Sequence, residues 1–77
     1  MVNNMKDERI LKEQHKLIVQ LIERRKSLGL SQQQVADLAH LPQSQIARME
    51  REVLSPRLDT MVKIGDILGI EFSYKEK

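Results

Sequence analysis

Seventy-seven residues make one domain, close to the lower size at which a chain folds on its own core, so a second copy or another partner is expected to help it. No cysteine is present, which excludes disulfides and thiolate metal sites, and His15 and His40 do not have the spacing of a zinc cluster. Thirteen basic and eleven acidic residues leave a net charge of +2, but residues 24–57 hold six cations against three carboxylates, an excess that suits phosphate contact as readily as an ordinary solvated surface.

Residues 1–9 are polar and read as a tail. From Ile10 to Leu28 the pattern is helical: Leu11, Ile18, Leu21, Ile22 and Leu28 fall on one stripe, and Gly29 comes next as a stop. The second half of this helix, from about Lys16, is expected to pack against the two short helices after it. The more polar first half makes residues 1–16 an arm, helical or flexible, that either stands free or docks on something. His15 is expected to be exposed and idle. Ser31, with Gln34 three places on, has the spacing of a capping box and opens a helix from Gln32 to Ala39. Leu41 and Pro42 make a tight turn, since proline fixes its own φ and disfavours helix at the residue before it. A further helix runs from Gln43 to Arg51. Val35, Ala36, Ala39, Leu41, Ile46 and Met49 are the expected core of this pair, with Ala47 as a small filler, and Gln43, Ser44, Gln45 and Arg48 are left outside. Amides and a guanidinium are the groups that match purine edges in a DNA major groove.

Residues 52–57 connect to the last helix. Ser55 reads as its cap and Pro56 as its first residue, with Leu58, Met61, Ile64, Ile67 and Leu68 inward, Val62 as an alternative inner residue, and Gly69 as its end. Ile70, Phe72 and Tyr74 then alternate with Glu71 and Ser73, the period of a short strand. That strand has no partner in its own chain. It is expected to pair with its copy across a two-fold axis; the alternative is a tail folded back on the helices.

Leu30-Ser31-Gln32, Val35-Ala36, Ile46-Ala47-Arg48-Met49-Glu50 and Ser55-Pro56 with Leu58 together resemble the Cro/cI-type (xenobiotic-response-element class) helix-turn-helix family, over about residues 17–69. The Leu41-Pro42-Gln43-Ser44 run and the apolar residues after the last helix are similar to the antitoxins of host-inhibition toxin–antitoxin pairs. The resemblance implies an all-α, lambda-repressor-like domain of about four helices, with residues 70–77 as a dimerisation strand and tail. It implies base contacts from Gln43 and Ser44, a phosphate contact from Gln32, and a structural ion pair between Arg25 and Glu50. Arg48 lies on much the same outer face and either forks onto a guanine or pairs along the helix with Glu52 or Ser44. Gln45 faces a phosphate or water. Arg24, Lys26, Arg51 and Arg57 are candidate phosphate contacts, with Arg51 the foremost, and solvated charges otherwise. Two residues depart from the family pattern. His40 and Glu52 stand where glycine is usual, so the turn takes a left-handed φ at some cost and the reading helix runs a residue longer or ends less sharply.

No nucleophile stands beside a base, and there is no glycine-rich phosphate loop or carboxylate cluster at metal spacing, so neither an enzyme nor a cofactor is expected. One Phe and one Tyr give no stacking platform for single strands. No apolar run reaches membrane-spanning length, and the N-terminus lacks the apolar segment of a signal peptide, so the chain is expected in the cytoplasm. The expected function is a sequence-specific repressor that binds double-stranded DNA as a homodimer on a palindromic operator, with a small toxin as a further partner if it is an antitoxin. The alternative is a helical protein-interaction module that does not bind DNA.

Overall fold

The computed structural model describes residues 8–71, and among them the structure is all helical: α1 (Glu8–Ser27), α2 (Gln32–Ala39), α3 (Gln43–Glu50) and α4 (Leu58–Leu68). α1 carries Glu8 in its first turn and Arg24, Arg25 and Lys26 in its last, each sign facing the end of the helix dipole it complements. α2 opens with the predicted capping box. Ser31 Oγ accepts from the Gln34 backbone N–H at 3.0 Å, and Gln34 Oε1 accepts from the Ser31 N–H at 2.8 Å.

All four helices end the same way. Beyond the helix lies a residue with positive φ, and the next N–H reaches back to a carbonyl of the last turn: Leu30 to Arg25, Leu41 to Ala36, Val53 to Arg48 and Ile70 to Gly65, at 2.8–3.0 Å. Gly29 and Gly69 hold two of these positions with φ of 72° and 73°; His40 and Glu52 hold the others at 58° and 59°. Both non-glycine substitutions therefore keep the turn geometry, at the backbone cost that a Cβ carries in this region. α3 does not run on to Arg51, which sits just past its end at φ −84°, ψ 0°.

Ile18 and Leu21 of α1, Val35 and Ala36 of α2, Ile46 and Met49 of α3, and Met61, Ile64 and Leu68 of α4 form one buried cluster. Leu17, Ile22, Leu30, Leu41, Leu54, Ile67 and Ile70 pack on its edge. Each large aliphatic removed from water in this way is worth about 1.5–3 kcal/mol. α2 lies against α3 and α4, and α1 against α3 and α4, so the short helix pair is gripped from behind by both longer helices.

Several expectations are corrected. α4 starts at Leu58, not Pro56; Arg57 holds the capping position, with no side-chain cap, and Ser55 and Pro56 stay non-helical. Leu58 is 64% exposed instead of inward. Leu11 and Leu28, placed on the inner stripe of the first helix, are 46% and 45% exposed. No strand occurs among the described residues. Ile70, expected at a dimer strand, packs on its own core, and its N–H closes the end of α4. Phe72 and Tyr74 lie outside the described residues.

Candidate nucleic-acid interface

The turn between α2 and α3 is short and stiff. His40 takes the left-handed conformation, and Pro42, at φ −66° and ψ 143°, sets the entry to α3, where the Gln45 N–H bonds the Pro42 carbonyl at 3.0 Å. α3 buries Ile46 and Met49 and leaves Ser44, Arg48 and the adjoining Arg51 exposed, with Gln43, Gln45 and Ala47 half-buried. Ser44 and Arg48, four residues apart, share a face of the helix. Of the two alternatives for Arg48, the pair along the helix with Glu52 is absent among the described residues. Glu52 lies past the helix end in the left-handed conformation, so i,i+4 spacing no longer places it under Arg48. Its carboxylate contacts His15 Nδ1 of α1 instead, at 2.6 Å, so His15 is exposed but not idle.

Behind the exposed face runs a chain of side-chain bonds. Arg25 and Glu50 form the expected ion pair in bidentate geometry, Nε to Oε2 at 2.6 Å and Nη2 to Oε1 at 2.9 Å. Their side chains are 11% and 9% exposed. Arg25 Nη1 also donates to the Leu30 carbonyl at 2.8 Å. Gln32 Nε2 donates to Glu50 Oε1 at 2.9 Å, and Gln43 Nε2 donates to Gln32 Oε1 at 2.7 Å. The direction of this relay is set by its start. A carboxylate only accepts, so Gln32 must turn its amino group to Glu50 and its carbonyl to Gln43. Gln43 then donates one hydrogen inward and keeps its second amide hydrogen and its carbonyl oxygen for other partners. The first residue of α3 is thereby tied, through α2, to the cation of α1.

The relay through Gln32 carries no signal in the sequence. The separations involved, 18 and 11 residues, have no local signature. Of the other candidate cations, Arg24 donates Nε to the Leu68 carbonyl at 2.8 Å and so holds the end of α4. Arg57 lies 3.6 Å from Asp59, with both side chains largely exposed, and Lys26 is exposed on the last turn of α1. Lys63, which no sequence motif singles out, reaches the Ala39 carbonyl at the end of α2, at 3.3 Å.

Two helices joined by a left-handed turn, the second with a polar outer face and an apolar inner one, define a helix-turn-helix unit. The chain belongs to the Cro/cI-type helix-turn-helix family, whose sequence profile matches residues 21–75. It is also similar to an uncharacterized HTH-type transcriptional regulator of Haemophilus influenzae, 42% identical over 53 residues that cover 69% of this chain and 54% of that protein. The chain thus spans about half the length of that relative. No solved structure matches it.

Proposed function

We propose that the chain is a sequence-specific DNA-binding transcriptional repressor that acts as a homodimer on a palindromic operator and has no catalytic activity. Family membership supports DNA binding, and the transcriptional-regulator relative supports a regulatory role. The observation that carries the reading is the face of α3: Ser44 and Arg48 exposed, beside a Gln43 whose amide is set by the Arg25–Glu50–Gln32 relay. The donor and acceptor left on Gln43 are the pair needed for N7 and N6 of adenine, and Arg48 offers the fork that suits guanine O6 and N7. Gln32 keeps one amide hydrogen for a phosphate at the N-terminal end of α2, where the helix dipole also favours an anion. Gln45 and Arg51 are the further phosphate contacts. Orienting Gln43 before DNA arrives reduces the side-chain entropy lost on binding.

A two-fold dimer reads two half-sites about 34 Å apart, or a multiple of it, which makes the operator palindromic. The narrower form of this reading is an antitoxin that represses its own operon, with residues 1–16 as the surface for the toxin. Ile70, already engaged with its own core, leaves Phe72 and Tyr74 to carry any strand pairing between copies.

The test is Gln43→Ala/Arg48→Ala. It should fold as the parent chain does and keep salt-sensitive binding to random duplex, while its preference for operator falls by about 100-fold, the equivalent of roughly 1–3 kcal/mol per reading residue. Equal preference in parent and variant would reject these residues as readers.

A further inference from the structure

One apolar surface is unused by the reading face. The first two turns of α1, residues 8–13, are exposed throughout, and they run beside the start of α4. Between them lies an open groove of about 740 Å³, walled by Ile10, Gln14 and Leu17 on one side and Pro56, Leu58 and Met61 on the other. Ile10 is 51% exposed and Leu58 64%, a large apolar exposure for two side chains facing one depression. Arg9 and Glu13 also line it from α1, and Arg57 and Asp59 flank Leu58 at the start of α4.

We propose that this groove is a contact surface between two copies of the chain, formed with the two α1 helices antiparallel. The charges select this occupant. A nucleic acid would call for a basic rim, and a strongly charged protein for a rim of the opposite sign, whereas this rim carries each sign equally on both walls. A balanced surface can meet itself without repulsion. Arg9 and Glu13, four residues apart, share one face of α1 with Ile10, Gln14 and Leu17. A two-fold axis near residue 11 sets Arg9 of each copy opposite Glu13 of the other, where Glu13 gives up or shares its exposed contact with Lys16 of its own helix at 3.1 Å, and covers Ile10 and Leu58 between them, the self-complementary arrangement that an isologous interface requires. None of the groove residues lies on α2 or α3, so both reading helices remain open.

The inference rests on the dimeric form of the proposed function and deepens it, and it gives Arg9, Ile10, Glu13 and Gln14 of the arm to the second copy in place of a toxin. It is tested on the full chain without DNA, so failure of the groove and failure of DNA reading are separately visible. Sedimentation velocity across a concentration series should show a reversible dimer for the parent chain. Arg9→Glu and Glu13→Arg, each alone, set like charges against each other across the axis and should weaken the dimer roughly tenfold. An equimolar mixture of the two variants should recover parent-like dimer, because each Glu then meets an Arg on the other copy. Recovery in the mixture cannot come from pairing along a single helix. Leu58→Glu should be monomeric with unchanged helical circular dichroism. A monomeric parent chain, single charge variants that dimerise as the parent does, or a mixture no better than its components would each overturn the proposal. So would a dimer lost on Phe72→Ala/Tyr74→Ala but retained on Leu58→Glu.

Discussion

Removing the Glu50 carboxylate tests how the reading helix is held. In Glu50→Ala the Arg25 guanidinium stays buried among the helices, keeps its bond to the Leu30 carbonyl and loses both bonds to Glu50. Gln32 loses the acceptor that fixes its amide. Breaking a buried ion pair from one side costs about 3–5 kcal/mol, because the remaining charge has no counterpart. A chain of this length has a total stability of about 4–12 kcal/mol, so the variant should lose between about a quarter of that stability and all of it, read as a large drop in the urea midpoint. Replacing both partners, as in Arg25→Met/Glu50→Leu, removes the stranded charge and should return stability to within about 1–2 kcal/mol of the parent chain. The double variant should nevertheless read operator poorly, since Gln32 and Gln43 are no longer oriented. Urea unfolding monitored by circular dichroism gives the two stabilities, and duplex titration gives the reading. A loss below about 1 kcal/mol in Glu50→Ala, or a double variant no more stable than the single, would refute the pair as a buried, mutually dependent unit.

The caps and turns give further outcomes. Ser31→Ala removes half of the capping box of α2 and should cost about 1 kcal/mol in urea unfolding. His40→Gly relieves a Cβ at positive φ and should raise stability by roughly 0.5–1 kcal/mol after the added freedom of the unfolded chain is counted. Glu52→Gly relieves the same strain but gives up the contact with His15, so its gain should be smaller than that of His40→Gly; an equal gain would show that the contact adds nothing. Gln32→Ala should leave the fold stable to within about 1 kcal/mol yet weaken the preference for adenine at the Gln43 position, read as flattened selectivity across single-base operator variants.

Much of the fold was legible because its signals are local. The Ser31–Gln34 box, Pro42 in the turn, Ile46 and Met49 on one side of a short helix, and glycines at 29 and 69 each act within a few residues of themselves. The Arg25–Glu50 pair came from the family resemblance, and no local pattern marks the two positions, which meet at 2.6 Å only in the folded chain. Local logic failed at Ser55-Pro56, which reads as a helix start. A cap is worth only about 1 kcal/mol, a local preference that packing easily overrides; here Leu54 lies against the core and the helix begins two residues later. The contacts of Gln32 with Glu50 and Gln43, and of His15 with Glu52, join positions that only the folded chain brings together. His15 carries no marker of its partner, and Glu52 found it because the left-handed turn swung its side chain away from Arg48. Exposure of Leu58 was hidden for a related reason: it fits the helical stripe, but it is the first residue of α4, where the helix has not yet reached the core.

The proposed function stands or falls with base-pair reading by the outer face of α3. Its most direct test is selection of bound sequences by the full chain from a random duplex pool. The pool should be enriched in a two-fold-symmetric site with half-sites about one helical turn apart, adenine favoured at one position of each half and guanine at another, and Gln43→Ala/Arg48→Ala should lose that enrichment. A pool that emerges unenriched, or one enriched equally by parent and variant, would contradict it.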